Sequence, residues 1–228
     1  MTFLQIVTDT ATAVDTATTT TGKSLNLLDL LLKGGWIMVP ILLLLALAIY
    51  IFIERLLTVR KAGKIERNFM NQVQDMVASG NIQGARSLCK NMDTPLVRML
   101  DKGLKKIGKP IDDIERALES SGKIEVYKLE KNLSILGTIA GIAPMFGFLG
   151  TIAGVITIFY DISQKGDISI GAISGGLYQK MITSAAGLVV GVIAHSAYHF
   201  LLLKIDKEIF RMESTAIEFV DLLQEPTE

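Results

Sequence analysis

The sequence predicts an all-α protein that crosses a membrane three times and extends long helices into a hydrophilic helical domain. Three uncharged runs carry this prediction: Trp36 to Ile53, Leu133 to Tyr160 and Met181 to Leu203. Each run is long enough, at about 1.5 Å per residue, to approach or exceed a hydrocarbon core of about 30 Å. Hydrophobic residues make up 50% of the 228-residue chain, which is typical of a membrane protein with one modest soluble part.

The distribution of basic residues predicts the orientation. The formal net charge is zero, yet residues 55 to 131 hold 16 Lys and Arg residues, against 2 before Trp36. Cytoplasmic segments carry the excess of Lys and Arg, so we expect the stretch between the first two runs to face the cytoplasm. The N-terminus and the loop from residue 161 to 176 then lie outside, and the C-terminus lies inside.

We therefore predict seven segments in chain order. They are an extracytoplasmic leader with a short amphipathic helix (1–33), a first transmembrane helix (34–55), a cytoplasmic helical domain (56–132), a second transmembrane helix (133–160), a periplasmic loop (161–176), a third transmembrane helix (177–203) and a cytoplasmic C-terminal helix (204–228). The Thr-rich leader lacks the basic and apolar regions of a cleaved signal peptide. Leu25, Leu28 and Leu32 share one face of its amphipathic helix.

Helical spacing and helix-ending residues divide the hydrophilic domain. Apolar residues from Ile65 to Val77 predict that the first membrane helix continues into the cytoplasm until Ser79-Gly80-Asn81 ends it. Asn81 is expected to cap a short helix, and Thr94-Pro95 to open the next one. From Asp112 a further helix is predicted to run, with one weak point at Gly122, directly into the second membrane helix.

Small residues recur through the second and third membrane helices. Ala143, Gly147, Thr151 and Gly154 follow three- and four-residue spacing, which permits close approach of another helix. Plain packing between membrane helices is the simpler explanation of this pattern. Pro144 can kink the second helix near its middle. The packing and kink candidates are Pro144, Gly147, Gly150, Gly154, Gly187 and Gly191.

Two hydroxyl side chains stand at comparable predicted depth. Thr151 and Ser184 each lie about 12 Å below the outer surface when residues are counted inward from the outer helix ends. Together they could line a polar passage, or each could bond to its own helix backbone and do nothing else. The three uncharged runs contain no Asp or Glu. A proton that passes these hydroxyls would therefore need a carboxylate from another subunit.

Ionisable candidates near the membrane are few. His195 and His199 lie toward the cytoplasmic end, where an interfacial or packing role is the simpler interpretation. Lys180 lies near the outer end and can extend its ammonium group to the lipid headgroups. We expect no catalytic centre, metal, cofactor or nucleic-acid partner.

Three motifs, in this order, resemble the ExbB/TolQ family, relatives of the flagellar stator protein MotA. The first is Gly34-Gly35-Trp36-Ile37-Met38-Val39-Pro40-Ile41 with Glu54-Arg55 closing the helix, the second is Ala143-Pro144 through Gly154, and the third is Thr183-Ser184-Ala185-Ala186-Gly187-Leu188. The resemblance covers roughly residues 25 to 220. With three membrane helices rather than four, the chain is more similar to ExbB or TolQ than to MotA.

The resemblance implies a non-enzymatic motor subunit of the Gram-negative inner membrane. Family members assemble as pentamers around two copies of a single-span ExbD or TolR protein, which contributes an intramembrane aspartate. The proton motive force then drives TonB-dependent transport, or envelope maintenance through a TolA-like protein. A self-sufficient channel or transporter based on His195 and His199, and a structural or signalling scaffold, remain open, as does the choice between proton and sodium.

The resemblance also implies roles for single residues. By motif position, Thr151 and Ser184 would face the partner aspartate, and Gln179 would occupy a site where the family usually has glutamate. Gln179 cannot titrate, although its amide can still form hydrogen bonds. Ser184 replaces a more usual threonine, which keeps the hydroxyl. Ile193 stands where many members have proline, so we expect a straighter third helix.

Overall fold

The computed structural model describes residues 35–64, 68–165 and 170–224, and every regular element within them is an α-helix. The predicted leader and its amphipathic helix lie outside the described residues. The helices within them are α1 (Met38–Ala62), α2 (Phe69–Ala78), α3 (Ile82–Lys90), α4 (Pro95–Leu104), α5 (Ile111–Glu130), α6 (Leu133–Lys165) and α7 (Ile170–Gln224). The predicted all-α fold is confirmed.

Helices α1, α6 and α7 contain the three segments that are long and apolar enough to cross a membrane. Large apolar side chains point outward along all three helices, and Leu43, Phe148 and Leu203 are 64%, 64% and 71% exposed. Such a surface is unfavourable in water but matches lipid hydrocarbon. The protein is therefore a membrane protein with three helices of spanning length.

Helix α7 carries the predicted third span and the predicted C-terminal helix without interruption. Its 55 residues extend about 82 Å at 1.5 Å per residue, far beyond a hydrocarbon core. Met212 and Phe219, near its C-terminal end, are buried in the hydrophilic domain. A single helix thus connects the membrane with that domain.

The hydrophilic domain has its own apolar core, formed by α2 to α5 and the end of α7. Phe69, Leu100, Leu118 and Phe219 are each at most 2% exposed. Helical spacing from Ile65 to Val77 predicted an apolar face, and Phe69 and Val73 of that face are buried. In the next two helices the buried residues Ala85, Cys89, Leu96, Met99, Leu100 and Leu104 follow the same kind of spacing.

The structure corrects two predictions of uninterrupted helix. Helix α1 ends at Ala62 rather than continuing to Ser79. The second interruption lies at Lys131 and Asn132, between α5 and α6, where Asn132 has a φ of 64°. Asparagine tolerates this left-handed backbone conformation better than most residues, so it permits the break. Gly122, the predicted weak point, lies inside continuous α5.

Two side chains of α1 contact the break between α5 and α6. Arg55 is 5% exposed and donates a hydrogen bond from Nη1 to the Lys128 carbonyl oxygen at 3.1 Å. Carbonyls in the last turn of a helix lack partners within that helix, so Arg55 satisfies one of them. Glu54 pairs with Arg55 and accepts a 3.5 Å hydrogen bond from Asn132 Nδ2. These contacts tie α1 to the point where α6 begins.

The two predicted N-caps differ in detail. Asn81 caps α3, because its side-chain oxygen accepts a hydrogen bond from the Gly84 N–H at 2.9 Å. Thr94 occupies the predicted position before Pro95 and α4, but its hydroxyl makes no cap hydrogen bond. The helix start at Pro95 is confirmed, whereas the predicted capping bond of Thr94 is wrong.

Helices α6 and α7 meet along a seam that only glycine permits, which we call the α6/α7 seam (residues 143–154 against 180–191). A Cβ on Gly187 would lie 2.7 Å from the Ala143 carbonyl oxygen and 2.8 Å from Gly147 Cα. A Cβ on Gly147 would lie 2.9 Å from the Ser184 carbonyl oxygen. Backbone atoms cannot rotate aside, so a larger residue at either position would separate the helices.

A buried carboxylate joins α4 and α5 in the hydrophilic domain. Glu125 is 4% exposed and accepts hydrogen bonds from Arg98 at 2.6 and 3.0 Å and from Lys128 Nζ at 2.7 Å. Burial raises the pKa of this carboxyl, but the hydrogen bonds and charges of Arg98 and Lys128 outweigh burial, so the pKa lies below its ordinary value. The ionised carboxylate therefore stabilises the fold at neutral pH.

Replacing Glu125→Gln should lower the free energy of unfolding at neutral pH by about 1–2 kcal/mol, because Arg98 and Lys128 lose a shared carboxylate but keep access to water. The wild-type advantage should shrink as the pH falls from 4.5, the ordinary value, through the lower folded-state pKa. Thermal unfolding of the detergent-solubilised chain across this pH range measures the effect. Glu119→Gln removes an exposed pair with Lys123 on the same helix and should have no such effect. Equal effects of the two variants would contradict the assignment.

Replacing Gly187→Ala should destabilise the membrane part of the protein by about 1–3 kcal/mol, because α6 and α7 must move apart to admit one methyl group. Gly175→Ala is the control on the same helix, since no atom of the described residues lies within 4 Å of its Cβ position. The thermal midpoint of both variants in the same detergent gives the comparison. A Gly187 variant as stable as the Gly175 variant would rule out a tight α6/α7 seam.

Candidate functional site

The α6/α7 seam brings hydroxyl groups of two helices to nearby levels. Gly147 of α6 lies against Ser184 of α7, and Gly150 lies against Thr183. Thr151 follows Gly150 directly, so Thr151 and Ser184 differ in level by less than one helical turn of about 5.4 Å. The two hydroxyls thus share one level of the seam.

The Thr151 hydroxyl is half-buried and bonds to its own helix. Its Oγ1 donates to the carbonyl oxygen of Phe148 at 2.7 Å, three residues earlier in α6. This bond uses the single hydroxyl proton and leaves the oxygen lone pairs available as acceptors. In the single protomer, Thr151 therefore makes the backbone contact that the sequence analysis kept as an alternative.

The Ser184 hydroxyl differs from that of Thr151 in its hydrogen bonding. Ser184 is half-buried, and its backbone forms part of the contact with Gly147. Within the described part of the chain, its hydroxyl has no hydrogen-bond partner. The glycine contact fixes the position of Ser184, so its hydroxyl is free to donate and to accept.

A third hydroxyl, to which the sequence analysis assigned no role, is fully buried in the seam. Thr183 is 0% exposed, and its methyl carbon lies 3.0 Å from where a Gly150 Cβ would be. Its hydroxyl donates to the Gln179 carbonyl oxygen at 3.5 Å. Its position next to Ser184 in the third motif was the sequence signal that it lies near the other hydroxyls. Its side chain is about 100° around the helix from that of Ser184, which favours a packing role.

Gln179 and Lys180 lie about one turn further from the hydrophilic domain. Gln179 is half-buried, and its backbone carbonyl accepts the bond from Thr183. Lys180 is also half-buried, and its side chain runs along α6 at Gly154. The carbon chain of the lysine therefore packs against α6 in the seam.

The remaining packing candidates also lie in the seam. Helix α6 continues through Pro144. A Cβ on Gly191 would lie 2.5 Å from Pro144 Cγ, so this glycine leaves room for the proline ring. Gly150 leaves room in the same way for Thr183 and for Ile37, which precedes α1. These small residues shape the seam, and none carries a group that could bind an ion.

His195 and His199 form an edge-to-face pair on the exposed side of α7, with ring centroids 4.5 Å apart. Tyr198 contacts His199 at a centroid distance of 5.1 Å. His195 stands 11 residues beyond Ser184, which is about 16 Å along the helix. Neither histidine therefore belongs to the hydroxyl cluster.

The seam provides hydrogen-bonding groups without an acid. No Asp or Glu occurs from Leu133 to Tyr160 or from Met181 to Leu203. Among residues 35–64, 68–165 and 170–224, no group of three or more His, Cys, Asp and Glu could hold a metal ion. Serine and threonine hydroxyls stay protonated at neutral pH, so they can bind a carboxyl group but do not replace it as a proton carrier.

Comparison with known proteins gives a family match that includes the α6/α7 seam. The model of the MotA/TolQ/ExbB proton channel family matches residues 91–214, more than half of the chain. A putative biopolymer transport protein ExbB homolog of Methanothermobacter thermautotrophicus is 28% identical over 194 residues, which cover 82% of this chain and 67% of that protein. The putative ExbB-like 3 protein of Synechocystis sp. is 27% identical over 163 residues, covering 71% and 78%. A biopolymer transport protein ExbB of Helicobacter pylori is 40% identical over 89 residues, covering 38% and 61%.

The family match spans the regions that the structure places together. Residues 91–214 contain α4, α5, α6 and the part of α7 that forms the seam. The relatives are named as transport proteins, in agreement with the three apolar helices of spanning length. By this match and this architecture, the chain belongs to the MotA/TolQ/ExbB proton channel family.

Proposed function

We propose that this chain is a motor subunit of an energised bacterial inner membrane. With a single-span partner that resembles ExbD or TolR, it couples the proton motive force to mechanical work on the cell envelope, as in TonB-dependent transport. One observation carries the proposal: the Thr151 and Ser184 hydroxyls share one level of a seam that contains no Asp or Glu of its own. A carboxyl group from another chain completes such a site.

The neutral and charged forms of a partner acid would require different states of Thr151. A neutral acid can donate its proton to Thr151 Oγ1 while Thr151 keeps its 2.7 Å bond to Phe148. An ionised carboxylate only accepts, so Thr151 must turn its proton away from Phe148 to stabilise that charge. Protonation of the partner thereby selects between two orientations of one hydroxyl.

The surroundings of the hydroxyls supply the driving force in this proposal. An apolar wall raises the pKa of a carboxyl group, whereas hydroxyl donors favour its charged form and lower the pKa. The free Ser184 hydroxyl is ready to act as the second donor. A partner acid that moves toward and away from these hydroxyls therefore binds and releases protons in step with its position.

We propose that copies of the chain form a closed ring, a pentamer by resemblance. A groove with a volume of about 800 Å³ lies between α5 and the end of α7, and its apolar lining includes Tyr127 and Ile217, which are 74% and 62% exposed. Its acidic residues are Glu115, Glu119, Glu130, Glu213 and Asp221. Basic residues lie at and beyond the end of α4, namely Lys102, Lys105, Lys106 and Lys109. Because unlike surfaces favour head-to-tail contact, a second copy is the occupant that fits the groove.

The basic residues support the orientation of the proposed motor. The excess of Lys and Arg in residues 55 to 131 supports a cytoplasmic position for the hydrophilic domain and a periplasmic N-terminus. Mechanical work generated at the Thr151 and Ser184 hydroxyls is then transmitted by the single-span partner to a TonB-like or TolA-like protein.

The double replacement Thr151→Val and Ser184→Ala should abolish transport driven by the proton motive force without dissolving the assembly, because it removes both donors for the partner carboxylate at little change in volume. Uptake by energised cells and copurification of the partner measure the two effects. Thr157→Val is the matched control, since Thr157 also bonds to its own backbone, at 2.9 Å from the Ala153 carbonyl oxygen. Normal uptake by the double variant would defeat the assignment, as would proton flux in liposomes that contain this chain alone.

Replacing Ile217→Asp should weaken the homo-oligomer by at least tenfold, which corresponds to about 1.4 kcal/mol, because it places a charge in the apolar groove. Ile124→Asp is the control, because Ile124 is 56% exposed on α5 but does not line the groove. Native mass spectrometry of the detergent-solubilised protein over a concentration series gives the oligomeric state. An unchanged oligomer in the Ile217 variant would exclude the groove as the contact between copies.

A further inference from the structure

Lys180 has an unusual position for a lysine at the edge of a membrane. A Cβ on Gly154 would lie 2.0, 2.4 and 2.6 Å from Cγ, Cδ and Cε of Lys180. Three successive carbons of the lysine therefore fill the space that the missing Gly154 side chain leaves. The α6 helix directs this side chain across the seam, although a lysine in this region would otherwise extend freely to the headgroups.

The backbone of Lys180 lies close to the hydroxyl level. Lys180 and Ser184 are four residues apart, so they lie on one face of α7 with a rise of about 6 Å between them. Gly154, against which the lysine lies, is three residues from Thr151 on α6. Lys180 and its contact at Gly154 therefore lie about one helical turn from Ser184 and Thr151 respectively.

No charged group of the described chain neutralises this lysine. None of the ion pairs within residues 35–64, 68–165 and 170–224 includes Lys180. On α6 the nearest titratable side chains are Tyr160 and Asp161, about two turns further out, and both are exposed. On α7 they are Tyr178 and, about four turns inward, His195. The outer end of α1, from Met38 to Leu45, has none, and Gln179 carries no charge.

We propose that Lys180 is a positioning residue that provides a fixed counter-charge for the intramembrane carboxylate of the partner. This inference rests on the proposed function and adds to it a cation next to the hydroxyl pair. An opposite charge within about 4–6 Å favours the ionised form of a carboxyl group and lowers its pKa by about 1–3 units. Thr151 and Ser184 supply hydrogen bonds, and Lys180 supplies the charge that lets the partner acid release its proton at a lower pH.

Labelling of the partner acid tests this inference directly. The complex of the full-length chain and its partner is reconstituted in lipid nanodiscs and treated with a hydrophobic carbodiimide at a series of pH values. Carbodiimides react with the protonated carboxyl group, so the pH at which labelling is half complete reports the pKa of the partner acid. Mass spectrometry of the partner quantifies the labelling and needs no measurement of transport.

Lys180→Met should raise the half-labelling pH by at least about one unit, because it removes the charge and keeps much of the side-chain volume. Lys180→Arg should keep the wild-type value, since the positive charge remains. Gly154→Ala retains the lysine but displaces its carbon chain from α6, so it should also raise the half-labelling pH. Gly141→Ala is the control on the same helix, because nothing in the described part of the chain lies within 4 Å of its Cβ position.

The possible outcomes separate this inference from the proposed function. If the partner is labelled and its half-labelling pH with Lys180→Met and with Gly154→Ala equals the wild-type value, the proposed role of Lys180 is overturned. Its ammonium group then contacts the lipid headgroups. In that case the proposed function still stands. A complex that contains no labelled intramembrane acid overturns both. A rise with Lys180→Met and Gly154→Ala, together with wild-type values for Lys180→Arg and Gly141→Ala, supports the counter-charge.

Discussion

The backbone contact between Gly147 and Gly187 is the constraint on which the membrane part of this protein depends. Lipid tails are as apolar as leucine, so the hydrophobic effect does not drive membrane helices together, and close packing must do so. With no side chain between them, the two backbones meet at one register only. That register sets Thr151, Ser184 and Lys180 relative to one another. A polar site can therefore form in the seam, where the Thr151 oxygen can still accept hydrogen bonds and the Ser184 hydroxyl can still donate and accept them.

Two further features connect this seam to the hydrophilic domain. Helix α7 runs unbroken from the seam to Phe219 in the core of that domain. Arg55 fastens α1 to the end of α5 through the Lys128 carbonyl, at the break before α6. Continuous helix thereby connects the hydroxyl level with the hydrophilic domain. The apolar core and the buried Glu125 pairs stabilise that domain.

Much of this architecture could be predicted because it depends on local composition. Uncharged runs predicted the three apolar helices, and helical spacing predicted the buried faces of the hydrophilic domain. The break at Asn132 could not be found in the same way. It depends on Arg55, which is 73 residues away from Lys128 in sequence. Thr183 was missed for a related reason, because only the placement of α6 beside α7 shows that its side chain is enclosed.

The sequence by itself determined that three segments prefer lipid, that they contain no acid, and that they carry two alcohols at similar depth. These properties follow from residue type and from the rise of a helix, which need no knowledge of distant contacts. Tertiary structure decided which glycine touches which backbone and that Lys180 lies against Gly154. Each of these depends on the register between two helices, and that register is a long-range packing property which no single segment contains.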